Sequence, residues 1–149
     1  MIARIHVRRL ELPDMDAAAR IHRFAFDRAL PALAGLHTPE EDRSFFRERV
    51  FAESELWGAF GDAGMAGMIA FRKDWIDQLY VLPDAQGRGI GSSLLRHAQA
   101  SFERLQLWTF QRNGPARRFY EARGFALVRE TDGAGNEEKE PDALYLWTR

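Results

Sequence analysis

The feature that most constrains this chain is a glycine-rich junction, QGRGIG, at residues 86–91. The aliphatic and aromatic segment before it, residues 75–82, predicts a strand closed by Pro83. The apolar residues after it recur at helical spacing, at Ile90, Leu94, Leu95 and Ala98. A helix that starts directly after a strand presents free backbone N–H groups, and glycines let an anion approach them. The junction therefore predicts a phosphate or pyrophosphate site. A tight, closely packed turn is the alternative.

The residues around these glycines exclude two common phosphate motifs. No Lys-Ser or Lys-Thr pair follows them, as a P-loop requires. Their spacing differs from that of a dinucleotide fingerprint, and the strand before them is central in the chain rather than N-terminal. Arg88 can add positive charge to the site, and Ser92 and Ser93 can add hydroxyl donors. A nucleotide-binding domain remains an alternative for this junction.

The order of apolar segments predicts the fold class. Seven strands are expected, at residues 5–8, 56–60, 65–71, 75–82, 105–110, 125–129 and 144–148. Helical spacing and capping residues predict four helices, over residues 17–30, 39–50, 90–98 and 115–123. The second of them has the sequence signature of a capping box, with Thr38 as the cap and Glu41 at the third helical position. In the middle of the chain strands alternate with helices. This order predicts an α/β fold, with a mixed sheet covered by helices on both faces.

Composition and length bound the class of protein. The chain has 149 residues, a net charge of -1 and no cysteine, which suits a single domain over residues 1–149 in a reducing compartment. The charge gives no drive toward nucleic acid, and no apolar run approaches the ~20 residues of a membrane span. The N-terminal segment lacks the apolar core of a signal peptide. We therefore expect a cytoplasmic protein without nucleic-acid or membrane partners. The scattered histidines predict no metal site.

Two sequence blocks together resemble the GNAT N-acetyltransferase superfamily. The segment VLPDAQGRGIGSSLL is similar to the first block, whose pattern Gln/Arg-x-x-Gly-x-Gly/Ala is filled by Gln86, Gly89 and Gly91. The segment NGPARRFYEARGF is similar to the second block, Asn-x-x-Ala-x-x-Phe-Tyr-x-x-x-Gly-Phe. The residues that match the second block are Asn113, Ala116, Phe119, Tyr120, Gly124 and Phe125. The blocks occur in the family's order with one predicted strand between them, and the element order agrees along nearly the whole chain.

The resemblance implies a GNAT fold, in which a seven-stranded mixed sheet splays apart between its fourth and fifth strands. It implies acetyl-coenzyme A as the donor and a primary amine of a small molecule or peptide as the acceptor. The pantetheine arm of the coenzyme would pair with the fourth strand at Leu79, Tyr80 and Val81, and Asn113 would also bind it. The residues expected around the coenzyme pyrophosphate are Gln86, Gly87, Arg88, Gly89, Ile90, Gly91 and Ser92.

Two residues are predicted to take part in acetyl transfer. Tyr120 stands where family members place a hydroxyl near the coenzyme sulfur, so the resemblance implies an acid that protonates the departing thiolate. A core aromatic on an amphipathic helix is the alternative. Asp77 is expected among apolar neighbours on the face of Leu79 and Val81, where a carboxylate could serve as general base. A strand-end aspartate bonded to backbone or to an arginine is the alternative, and water relays are common in the family.

Other functions remain open from the sequence. A non-catalytic coenzyme A-binding sensor or interaction module need not keep both Tyr120 and Asn113, and this chain has both. An acyltransferase with a longer acyl donor or an alcohol acceptor is a further alternative, since acyl selectivity depends on pocket depth. The family usually builds its acceptor pocket near residues 31–38, where His37 is a candidate, and the acidic loop around Glu137 can overhang it. Dimers are common in the family, so a homodimer is a further expectation to test.

Overall fold

The computed structural model describes residues 4–149 and forms one seven-stranded sheet in the order β1-β2-β3-β4-β5-β7-β6. The strands are β1 His6–Arg9, β2 Glu55–Gly61, β3 Gly64–Arg72, β4 Trp75–Val81, β5 Arg104–Phe110, β6 Ala126–Thr131 and β7 Asp142–Thr148. All neighbouring strands pair antiparallel except β4 and β5, which are parallel. All seven predicted strands are present, with ends that differ by one or two residues from most of the predicted ones.

The helices are α1 Met15–Ala29, α2 Pro39–Phe45, α3 Phe51–Glu53, α4 Ile90–Ser101 and α5 Gly114–Glu121, and a π-helical turn, Phe46–Val50, joins α2 to α3. The start of α2 is a capping box, as its sequence predicts. The Thr38 hydroxyl accepts from the Glu41 backbone N–H at 3.1 Å, and the Glu41 carboxylate accepts from the Thr38 N–H at 2.8 Å. Within residues 4–149, no helix is both long enough and apolar enough to cross a membrane.

The sheet buries one apolar cluster on each face, which confirms the predicted layering. On one face α4 and α5 cover the strands, with Leu94 and Leu95 packed against Ile69 and Phe71. On the other face α1 and the π-helical turn do so; the buried residues there include Met15, Ala18, Ile21, Phe46 and Met68. Since helices hold both faces, the ends and gaps of the central strands are where a ligand can reach the backbone.

Two irregularities of β4 create such a gap. The ladder between β4 and β5 has one register pair, Trp75 with Gln106, so the two strands separate beyond it. On its other edge β4 carries a β-bulge: Ala70 faces Gln78 and Phe71 faces Ile76. Asp77, between Ile76 and Gln78, is therefore the extra residue of the bulge. The alternation of side chains between the two faces of the sheet changes phase at this point of β4. The splay predicted between the fourth and fifth strands is thus present.

Candidate active site

A cleft of about 780 Å³ lies between the separated strands β4 and β5. The C-terminal half of α1 forms one wall, and the glycine-rich junction and the start of α5 close the other end. Residues of the two strands line it along most of their length, from Ile76 to Val81 on β4 and from Leu107 to Phe110 on β5. The cleft therefore gives access to the β4 backbone edge that β5 leaves unpaired after Trp75.

The glycines of the junction serve two different structural needs. Gly87 and Gly89 both have φ of 80°, the left-handed region that favours glycine, and Gly89 is the N-cap of α4. At Gly91 a Cβ would lie 3.1 Å from the Phe119 ring, so this glycine allows close packing of α4 on α5. The first helical hydrogen bond runs from Ser93 N–H to the Gly89 carbonyl. The N–H groups of residues 90–92 are therefore the free donors of the α4 N-terminus, and these residues line the cleft.

The predicted coenzyme ligands differ in what their side chains do. Gln86 donates from Nε2 to the Val81 carbonyl at 3.0 Å, so its side chain braces the junction against the end of β4. Ile90 is 2% exposed and belongs to the core, so only its backbone can meet a ligand. Arg88 is exposed and is not part of the cleft lining, so its role toward the pyrophosphate stays a prediction. Side chains of successive residues in a tight turn point in different directions. The spacing of the glycines therefore does not predict which of these side chains faces the cleft.

Arg123 brings the charge that was expected from Arg88, and the sequence reasoning missed it. It lines the cleft, with Nε donating to Ser92 Oγ at 2.8 Å and Nη1 donating to the Phe119 carbonyl at 2.9 Å. Its guanidinium carbon lies 3.8 Å from the centre of the Phe119 ring, a cation–π contact. The available signal was the spacing of four residues between Phe119 and Arg123 at the end of a helix. The guanidinium is thus fixed beside the N-terminus of α4.

Tyr120 is both a core residue and part of the cleft wall. It is 8% exposed, and its ring packs edge-on against Phe119 and Phe125, with centroids 5.2 and 5.4 Å away. Burial raises the pKa of Tyr120, and the nearby Tyr80 raises it further. The hydroxyl therefore keeps its proton at physiological pH and can donate a hydrogen bond to a ligand in the cleft.

Asn113 lies at the N-terminal end of α5, the helix that carries Tyr120. Its Oδ1 accepts from the Ala116 backbone N–H at 3.3 Å, so it is the N-cap of α5. It also lines the cleft. The capping interpretation of this residue is correct, and its amide NH₂ group remains a candidate donor to a ligand.

The expected surroundings of Asp77 are wrong. Asp77 is exposed, and both of its carboxylate oxygens accept from Arg72, at 2.7 and 3.2 Å. The bulge in β4 is the reason, because Asp77 is its extra residue and does not share the face of Leu79. The residue stands at the rim of the cleft in an ion pair, as the alternative interpretation had it.

The wall opposite the junction is largely aromatic. Phe26 of α1 contacts Phe110 of β5 edge-on at 6.0 Å, and Tyr80 of β4 also lines this wall. His22 does not line the cleft, and its ring contacts that of Tyr80 edge-on at 4.8 Å. Burial raises the pKa of Tyr80 to about 12 and lowers the pKa of His22 to about 4, so both rings are neutral near pH 7. His37 does not line the cleft; its Nε2 lies 2.6 Å from Glu137, which joins the loop before α2 to the loop between β6 and β7.

The sequence of this chain matches a known protein family. The family model described as the acetyltransferase (GNAT) domain matches residues 47–127, more than half of the sequence. The chain belongs to the GNAT acetyltransferase family. The resemblance predicted from the glycine-rich junction and the Asn113–Phe125 block is therefore confirmed.

Individual GNAT relatives agree in sequence and in fold. The peptidyl-lysine N-acetyltransferase YiaC of Escherichia coli is 31% identical over 103 residues, 68% of each chain. Apo-form YjaB of E. coli has a TM-score of 0.80 at 22% identity, covering 99% of this chain and 98% of that one. The PaiA N-acetyltransferase of Thermoplasma acidophilum, solved in complex with coenzyme A, has a TM-score of 0.71 at 20% identity, covering 98% and 99%. This GNAT chain thus has the complete fold of the family, including the parallel, separated pair β4 and β5.

Proposed function

We propose that this GNAT chain transfers an acetyl group from acetyl-coenzyme A to a primary amine of a small molecule or peptide, by direct attack in a ternary complex. The observation that carries the proposal is the cleft between β4 and β5, which runs from the α4 N-terminus to the aromatic wall of α1. A donor bound at one end and an amine at the other would meet inside it. Structural neighbours that carry coenzyme A support the choice of donor.

The donor side is suited to a diphosphate. The free N–H groups of the first turn of α4 and the positive end of its dipole favour an anion. Arg123 adds a guanidinium beside them. Of its five N–H donors, two are occupied by Ser92 and the Phe119 carbonyl, so three remain for phosphate oxygens. The β4 edge at Leu79–Val81 offers backbone groups to the amides of the pantetheine arm, as an added strand would.

The reaction needs one bond to form and one to break. The amine lone pair attacks the acetyl carbonyl carbon, the new C–N bond forms, and the C–S bond of the thioester breaks. The nitrogen loses a proton and the departing thiolate gains one. A coenzyme thiol has an ordinary pKa of about 8.5, so the thiolate is a tolerable leaving group that benefits from an acid. Tyr120, held protonated in the cleft wall, is our candidate for that acid.

The proton on the amine has a less obvious destination. Asp77 was predicted to accept it, and it stands at the rim of the cleft. Both of its oxygens already accept hydrogen bonds from Arg72, so proton transfer to Asp77 must compete with that ion pair. We propose that water in the cleft carries the proton to bulk solvent, with Asp77 as the alternative acceptor.

The acceptor class is tested by a panel of amines. A thiol-release assay with acetyl-coenzyme A would include free lysine, spermidine and a peptide with one internal lysine; YiaC is named for peptidyl-lysine, which is why the peptide is included. We expect steady thiol release with at least one amine and an acetylated product by mass spectrometry. Binding of coenzyme A without turnover of any amine would instead indicate a binding module, and turnover only with longer acyl donors would indicate a different acyltransferase.

A further inference from the structure

A second cavity of about 500 Å³ adjoins the cleft on the side of α2. We call it the polar groove; besides two residues that it shares with the cleft, it is lined by Phe45, Arg49, Val50, Glu53, Ser54 and Arg72. Among the described residues, Asp77 and Gln78 line both cavities. A molecule that occupied the polar groove and reached into the cleft would pass these two side chains.

Gln78 is the residue at this boundary that has an unmet hydrogen-bond requirement. Its Oε1 is buried and has no hydrogen-bond partner among the described residues. Most buried polar atoms in proteins are paired, and an unpaired carbonyl oxygen loses the hydrogen bonds it would make to water. The residue is partly exposed, and the terminal torsion of a glutamine is soft, so the amide can turn toward the cleft without moving the backbone.

The neighbouring charged groups are already paired. Both oxygens of Asp77 accept from Arg72, and Arg49 pairs with Glu53, four residues on, at 3.1 Å along one wall of the polar groove. Once its amide turns toward the cleft, Gln78 can therefore supply an uncharged hydrogen-bond acceptor at the point where the two cavities meet. Its oxygen carries no titratable proton in the working pH range, so it can accept a hydrogen bond from a neutral amine at every pH at which the amine is reactive.

We propose that Gln78 holds the substrate amine by accepting a hydrogen bond from one of its N–H groups. The remainder of the amine substrate would lie in the polar groove. A neutral primary amine has two N–H bonds and one lone pair. Fixing an N–H on Oε1 orients the lone pair, which must point at the acetyl carbon for attack. The inference rests on the proposed acetyl transfer and adds to it the residue that positions the second substrate.

The test separates binding of the two substrates. Gln78→Leu keeps the side-chain size and removes the hydrogen-bond acceptor. With the best amine of free lysine, spermidine and the single-lysine peptide, we expect KM for the amine to rise about tenfold, the loss of one hydrogen bond. KM for acetyl-coenzyme A and the Kd of coenzyme A should stay within about twofold of wild type. Thermal stability should be unchanged or higher, since a buried unpaired oxygen is removed.

Gln99→Leu on α4 is the matched control, because Gln99 lines neither cavity. An unchanged KM for the amine in Gln78→Leu would overturn the proposal, as would equal increases for both substrates together with a lower melting temperature, the result of a structural role. If wild-type protein binds coenzyme A but acetylates none of the amines, the proposed transfer fails and this inference fails with it. If wild-type protein does not bind coenzyme A, the donor site itself is wrong.

Discussion

The role proposed for Arg123 gives the most direct test of the donor site. Its guanidinium is already held by Ser92, the Phe119 carbonyl and the Phe119 ring, so little side-chain entropy is lost when a phosphate binds. Replacing it by glutamine removes a charge and three available N–H donors. A charge-assisted hydrogen bond in a partly exposed site contributes about 1–2 kcal/mol. We therefore expect the Kd of coenzyme A to rise about 5- to 30-fold in Arg123→Gln.

The measurement is calorimetric titration of coenzyme A into the whole protein, and it needs no acceptor amine. Arg118→Gln is the matched control: Arg118 lies five residues earlier, on α5, is exposed and does not line the cleft, and the change in net charge is the same. Arg123→Lys should give an intermediate loss, because an ammonium keeps the charge but not the planar fork of donors. The difference between Arg123→Gln and the control should shrink at high salt.

A second ligand tells which phosphate is bound. If Arg123 meets the diphosphate, its substitution weakens coenzyme A and 3′-dephospho-coenzyme A alike. If it meets the 3′-phosphate, the effect disappears with the dephosphorylated ligand. A Kd for Arg123→Gln within about twofold of that for Arg118→Gln, with both ligands, would refute the reasoning.

Three further predictions concern the cleft and the histidine that packs behind Tyr80. Tyr120→Phe should lower kcat about tenfold or more and leave the Kd of coenzyme A unchanged; an unchanged kcat would remove Tyr120 from the chemistry. Asp77→Asn should leave the pH dependence of kcat/KM unchanged, because Arg72 occupies both oxygens; disappearance of one limb of the profile would establish Asp77 as the base. His22 has a folded-state pKa of about 4, below its ordinary value of about 6.5, so the unfolded chain binds more protons between these values. The free energy of unfolding therefore decreases as the pH is lowered through that window, by about 1 kcal/mol from pH 6.5 to pH 5.5. Urea unfolding at the two pH values should show this loss in wild type and not in His22→Phe, and equal losses in both would contradict it.

Features that depend on short-range physics could be predicted from the sequence. The capping box at Thr38 and Glu41 needs only four residues, and its sequence signature predicts it correctly. The glycine-rich junction could be located because its backbone leaves a trace in the sequence. Gly87 and Gly89 adopt left-handed φ values, which favour glycine. The cleft position followed from the family resemblance, which the fold confirms.

Features that depend on pairing between distant segments were missed. The bulge that moves Asp77 off the face of Leu79 exists only when β3 and β4 are aligned, and no local pattern in WIDQLYV indicates it. The direction of Arg88 depends on the turn, and the contact of Arg123 with Ser92 joins residues 31 positions apart. At Gly91 a Cβ would lie 3.1 Å from the Phe119 ring, so this glycine also fits the alternative of a closely packed turn.

The single rung between Trp75 and Gln106 divides the sheet into two blocks, β1–β4 and β5–β7, whose backbones touch at one end only. Ladder pairing therefore joins the two blocks only near the start of β4. On the proposed function, the pantetheine arm laid along β4 would supply hydrogen bonds to the strand edge that β5 leaves unpaired. These added hydrogen bonds would protect β4, so its amide hydrogens should exchange more slowly as coenzyme A is added.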